Sequence, residues 1–209
     1  MHITWHGQYS LRITTKEATI LLDPNGPGSG LTPIKVAANI VALSNPSDPN
    51  MSHVSSLSGK PVVINTPGEY AFADISLHAI SWHTEDGEER SMQRWVIEGM
   101  TLLHLGARTL PLKDEELQDL ERTDVDILLI SVGGGTGFGT KDALEIISSI
   151  EPRVVIPIHY QVKGVKEDLE PVETFAKEMG VSTSKVEKKA LIKKNKLPQE
   201  DIETIILSI

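Results

Sequence analysis

Hydrophobic and polar positions alternate with a short period over the first half of the chain. His2 to Trp5, Ser10 to Thr14 and Ala18 to Leu22 are brief β-rich runs separated by turn residues, the last closed by Asp23-Pro24. Runs of this kind predict a β-meander. Asn25 to Gly30 (NGPGSG) reads as a loop, because Gly and Pro favour turn geometries over ladders. Further strands are expected at Ile40 to Leu43, Pro61 to Asn65, Ile75 to Trp82, Arg94 to Ile97 and Met100 to His104. The period then lengthens. Lys113 to Leu120 (KDEELQDL) has an acidic first turn and apolar spacing that suit a helix. Asp126 to Val132 (DILLISV) and Arg153 to Ile158 (RVVIPI) are continuous apolar runs, as in strands covered on both faces, and a helix is expected between them at Lys141 to Ile150. That order is a βαβ unit, which sets the two strands side by side and parallel. Pro171 to Met179 predicts one more helix, with Gly180 as its stop.

Composition narrows the classes of function. A chain of 209 residues fits about one domain, so residues 1–209 are expected to form a single unit. The absence of Cys excludes disulfide scaffolds, thiolate zinc sites and cysteine nucleophiles. A net charge of −9, from 20 Lys and Arg against 29 Asp and Glu, opposes binding to a phosphate backbone. The lysine-rich stretch 185–196 fits a solvated strand edge better than a nucleic-acid patch. No leader pattern and no run near the ~20 apolar residues of a membrane span is present, so a cytoplasmic location is expected.

Several segments, taken in order, resemble the metallo-β-lactamase superfamily, in particular its compact branch of zinc-dependent hydrolases similar to ascorbate-6-phosphate lactonases. They are MHITWHGQYSLRI, ATILLDP, LSNPSDPNMSHVSSLSGKPVVINTPGEY, Trp82-His83, LLHLGARTLPL, DVDILLISVGG and IEPRVVIPIHY. The resemblance covers nearly the whole chain. It implies an α+β fold, a four-layer αββα sandwich of two mixed β-sheets with metals held by loops at one edge. It also implies a His-x-His-x-Asp-His loop, a later His, a Gly-Asp turn and a final His as ligands of two zinc ions. Zinc so held lowers the pKa of bound water to about 7 and supplies a hydroxide nucleophile.

Measured against that pattern, the ligand positions of this chain are largely substituted. Asn45, Ser47, Pro49 and Asn50 stand where His, His, Asp and His are implied, and Ala107 where the bridging Asp is implied. Gln8 replaces the usual His of the first turn, and Gly133 to Gly139 (GGGTGFG) departs from a more polar loop. His83 and His159 remain, and the resemblance gives them to different metals of the pair. Asp48, His53, Glu85, Asp86 and His104 are the residues that could rebuild a mononuclear site. The Gly-rich loop lacks the ending of a phosphate loop, and Ser44, Ser47 and Ser131 lack the strained elbow of a serine hydrolase.

Two readings follow. The first is a non-catalytic binding or interaction protein without a cofactor, its vestigial metal cleft lined by Gln8, Asn45, Ser47, Asn50, His83, Ala107 and His159. Its partner would be a small molecule or a protein that the sequence does not identify, and self-association is compatible with it. The second is a metal-dependent hydrolase of phosphodiesters or lactones with a mononuclear zinc site rebuilt around His83 and His159.

Overall fold

The computed structural model describes residues 1–184 and 186–209, so Lys185 of the lysine-rich stretch lies outside the described residues. Two mixed β-sheets pack face to face. The first contains β1 (His2–Trp5), β2 (Leu11–Thr14), β3 (Thr19–Leu22), β4 (Ile40–Ala42), β5 (Val62–Ile64) and β12 (Ala190–Leu191), in the order β12-β1-β2-β3-β4-β5. The second contains β6 (Gly68–Phe72), β7 (Ile75–His83), β8 (Glu89–Ile97), β9 (Met100–His104), β10 (Ile127–Ser131), β11 (Val154–Ile158) and β13 (Glu203–Thr204), in the order β13-β11-β10-β9-β8-β7-β6. The helices are α1 (Asp114–Glu121), α2 (Thr140–Ile150) and α3 (Val172–Glu178).

The expected meander is β1 to β3, antiparallel in register from Leu11↔Leu22 to Thr14↔Thr19. The expected βαβ unit is also present, with β10 and β11 parallel from Ile127↔Val154 to Ser131↔Ile158. All five residues of each strand are buried, which is why both runs are apolar apart from Ser131. Gly180, at φ 67°, takes the left-handed conformation that ends α3. Alternation fixes which side chains face inward. Ile3, Trp5, Leu11, Ile13, Ile20 and Leu22 of the first sheet share one core with Leu77, Trp95, Leu102 and Leu129 of the second. A smaller cluster of Leu21, Ile34, Ala38, Val41 and Leu43 covers the other face of the first sheet with coil.

Two elements differ from the sequence pattern. β6 alternates between half-buried and exposed residues at the edge of its sheet, so it lacks an apolar signature. β8 begins at Glu89 because pairing with β7 carries polar residues such as Arg90 and Ser91 into the ladder. The lysine-rich stretch does border an edge strand, the two-residue β12, with Lys188, Lys189, Lys193 and Lys194 exposed around it. Among the described residues no helix is long and apolar enough to cross a membrane.

A buried ion pair ties α1 to the second sheet. Arg108 is 1% exposed, donates to both carboxylate oxygens of Glu116 at 2.9 and 2.7 Å, and lies 4.9 Å from the Trp82 ring centroid. Glu116 also accepts from the Lys113 N–H at 2.7 Å, so one side chain both caps α1 and neutralises the arginine. Glu116→Gln is expected to lower stability by about 2 kcal/mol, the weight of charged hydrogen bonds, as read by urea denaturation. An unchanged midpoint would show that Arg108 is compensated elsewhere.

His6 makes folding sensitive to acid. Its half-buried ring has an unpartnered Nε2, and burial, reinforced by the charge of Arg12, lowers its pKa to about 4. In the unfolded chain it titrates near its ordinary value of about 6.5. The unfolded state therefore binds the proton first. The contribution of His6 is fully present above about pH 6.5 and is lost as the pH falls toward 4. His6→Gln is expected to flatten the fall in urea midpoint between pH 7 and pH 5, and an identical slope would remove His6 as its source.

Candidate active site

The parallel strands place their C-terminal ends together. β3, β4 and β5 run parallel in the first sheet, as do β9, β10, β11 and β13 in the second. The loops after β3, β4, β9, β10 and β11 meet the β1–β2 turn at one edge of the sandwich. Gly7 and Gln8, at φ 90° and 46°, form that turn. Asn25 holds it by donating to the carbonyls of His6 and Gly7 at 2.7 and 3.2 Å, and the Gln8 carbonyl accepts from the His159 N–H at 3.2 Å.

Beneath the loop after β4 is a buried charge cluster. Asp23 accepts from the Ser44 N–H at 2.6 Å and the Ser44 hydroxyl at 2.8 Å, and its Oδ2 is 2.8 Å from His104 Nε2. Asp23 and His104 are completely buried. The Asp23 carboxylate therefore positions the start of the Ser44 to Asn50 loop without being reachable by a substrate.

Beside it opens a cleft of about 270 Å³ lined by residues that include Gln8, Tyr9, Asp48, Asn50, Thr136 and Glu167. Glu167 is its best-held acid. Its Oε1 accepts from the Thr136 N–H at 2.7 Å, and its Oε2 lies 3.1 Å from His159 Nε2 and 3.5 Å from Gln8 Nε2. Burial would raise the Glu167 carboxyl, but the bond and charge of His159 and the two Thr136 contacts together hold it below the ordinary Glu range. His159 is fully buried, its ring stacked on Tyr9 with centroids 4.2 Å apart. Burial pushes the Tyr9 hydroxyl well above its ordinary pKa, so it stays protonated at any physiological pH.

The Gly-rich loop makes this close packing feasible. A Cβ at Gly135 would run into Glu167 Oε1, and one at Gly137 into the Tyr9 hydroxyl. The N–H groups of Thr136 and Phe138 are engaged within the protein, by Glu167 and by Ser131 Oγ at 2.7 Å. The loop thus closes the βαβ unit and orients Glu167.

Of the residues singled out in the sequence, Gln8 and Asn50 line the cleft and His159 lies directly beneath it in contact with Glu167. Asn45 is buried next to Ser44 with Oδ1 unpartnered, and Ala107 is buried with its carbonyl accepting from Arg90 at 3.1 Å. Ser47 and His83 are exposed, and neither lines the cleft. Among the residues that could rebuild a metal site, Asp48 lines the cleft, His53 contacts Ser55, Glu85 and Asp86 sit exposed at a hairpin tip, and His104 is bound to Asp23. Ser44 and Ser131 are both committed to structural hydrogen bonds, so neither pairs with a histidine. Sequence reasoning did not single out Asp23, Tyr9, Thr136 or Glu167. Asp23 had a local signal, a carboxylate closing an apolar strand, whereas Glu167 sits in a run of charges that reads as solvated surface.

A family model for the beta-lactamase superfamily domain matches residues 2–159, and the chain belongs to that superfamily. A UPF0173 metal-dependent hydrolase of Lysinibacillus sphaericus is 27% identical over 195 residues, covering 77% of this chain and 85% of its own. A UPF0173 protein of Pyrococcus abyssi is 25% identical over 185 residues, covering 78% and 85% respectively. A solved Thermotoga maritima structure, named for a Zn-dependent hydrolase of the metallo-beta-lactamase superfamily, shares the fold with a TM-score of 0.78 at 24% identity and full coverage of both chains.

These relatives correct two expectations. The sequence favoured a non-catalytic binding or interaction protein and no cofactor, whereas relatives aligned over most of the chain are named metal-dependent hydrolases, which favours the hydrolase reading. The physical reason is that counting lost donors tests one way of activating water. It leaves the other polar groups of the same cleft out of account. The dinuclear centre that the resemblance implies does not, however, fit the donors of this chain. Among the described residues no three His, Asp or Glu side chains converge as a metal centre requires, and Asn45 Oδ1 and the Ala107 methyl stand at two of the implied ligand positions.

Proposed function

We propose that this chain is a hydrolase of its superfamily acting on a compact carboxylic ester or lactone, with the site rebuilt around His159 and Glu167 in place of His159 and His83. The observation that carries this reading is the Glu167 carboxylate on the cleft wall, held on one oxygen by the Thr136 N–H at 2.7 Å and on the other by His159 at 3.1 Å. The contacts that lower its pKa keep it ionised at neutral pH, so it accepts a proton from a water in the cleft, as a weaker base than an ordinary Glu but a positioned one. Glu167 takes a proton from the water as its oxygen bonds to the substrate carbonyl carbon. The carbonyl π electrons move onto oxygen. Collapse breaks the bond to the leaving oxygen, which takes the proton back from Glu167. His159 acts through Glu167, orienting it, and Gln8 and Asn50 offer side-chain amides to the substrate.

The test is turnover of 4-nitrophenyl acetate and γ-lactones by the full chain, with and without added Zn²⁺ or Mn²⁺ because the relatives are metal-dependent. Turnover above buffer that disappears in Glu167→Gln is expected. Wild-type and variant rates that coincide would remove Glu167 from the chemistry.

A further inference from the structure

Tyr9 is 2% exposed, stacks on His159 at an interplanar angle of 19°, and lines the cleft beside Gln8 and Thr136. Its hydroxyl is poorly used within the protein. Among the described residues its hydroxyl has one contact, with Thr136 Oγ1 at 3.4 Å, beyond the roughly 2.5–3.0 Å of a full O–H···O bond. A buried phenol normally finds a partner, because an unmade hydrogen bond is expensive away from water. Space is kept for this hydroxyl, since any side chain at Gly137 would run into it.

The same Thr136 links the phenol to the base. Thr136 Oγ1 lies 3.4 Å from the Tyr9 hydroxyl on one side and 3.4 Å from Glu167 Oε2 on the other. Both groups line the same cleft of about 270 Å³. We infer that the Tyr9 hydroxyl donates the hydrogen bond that stabilises the oxyanion formed at the substrate carbonyl, an assignment that rests on the hydrolase reading above. The phenol keeps its proton throughout. The charge it meets develops only as the carbonyl becomes tetrahedral, so the bond strengthens toward the transition state. A single neutral donor of this kind suits an acyl oxyanion better than a phosphoryl group, whose charge spreads over three oxygens.

Tyr9→Phe keeps the ring stacked on His159 and removes only the donor. In the full chain it is expected to lower kcat for 4-nitrophenyl acetate about 100-fold, with KM and melting temperature nearly unchanged. A purely structural role would move the melting temperature and not split kcat from KM. Independently of turnover, 4-nitrophenyl methylphosphonate, a tetrahedral anion, is expected to bind the variant at least about tenfold more weakly by calorimetry. Unchanged kcat in Tyr9→Phe while Glu167→Gln is inactive would overturn the assignment and leave the hydrolase reading standing. If the wild type shows no turnover, the hydrolase reading fails, and phosphonate binding that is absent or equal in wild type and Tyr9→Phe overturns the assignment as well.

Discussion

Asp23→Ala is expected to lower the stability of the chain by about 3–5 kcal/mol. The carboxylate is fully buried and accepts from Ser44 N–H, Ser44 Oγ and His104 Nε2 at 2.6 to 2.8 Å. Its removal strands a backbone N–H, a hydroxyl and an imidazole away from water, each an unsatisfied buried group. For a chain of this length the loss corresponds to a fall in melting temperature of roughly 10 °C. Asp23→Asn is expected to cost less, because the new amide keeps the shape of the carboxylate and its oxygen still accepts from the Ser44 N–H. Asp23 also has φ 42°, a left-handed backbone conformation that Asn adopts more readily than Ala. Melting curves for the two variants decide the matter, and a shift under about 2 °C for Asp23→Ala would mean that the cluster contributes little.

Glu167→Gln is expected to lower kcat by about 10²–10⁴-fold with little change in KM, the range attributed to a positioned general base. The amide preserves the shape, still accepts from the Thr136 N–H, and meets His159 Nε2 in the tautomer that accepts. Folding should therefore survive where base strength does not. His159→Ala is a less selective probe, since it empties a fully buried ring position and breaks the stack with Tyr9. Asp48→Asn is the informative control. Asp48 lines the same cleft, but its Oδ1 accepts from the Asn50 N–H at 2.8 Å. Loss of activity in Asp48→Asn, with Glu167→Gln within about threefold of the wild type, would transfer the role of base to Asp48.

Metal-dependence in the relatives frames both experiments. Of the two histidines this chain keeps at positions the resemblance implies, His159 lies against the cleft beside Glu167, whereas His83 does not line it. A substitution at either position therefore tests how far the chemistry has moved onto the residues that remain.

Much of the architecture was present in the sequence because it depends on short-range order. Period-two runs gave β1 to β3, the apolar runs DILLISV and RVVIPI gave two strands buried on both faces, and the helix between them required a parallel pair. Composition removed thiol chemistry outright, and the segments shared with the metallo-β-lactamase superfamily gave the fold. The sequence also identified Asn45, Ser47, Asn50 and Ala107 as the residues that stand at implied ligand positions.

The tertiary structure decided which polar groups meet. Asp23 and His104 are 81 residues apart and become partners because strands of opposite sheets end at the same edge. His83 and His159, the pair suggested by resemblance, differ in environment: one is exposed at the end of β7, the other is sealed beneath Tyr9. Glu167 gave no local signal, since a carboxylate among Lys166, Asp168 and Glu170 has the composition of surface loop until folding brings His159 and the Thr136 N–H to its two oxygens. Periodicity records what a residue's immediate neighbours need, every two or 3.6 positions. The partner of a carboxylate is set by strand order and loop closure, which act over distances in sequence that no local pattern encodes.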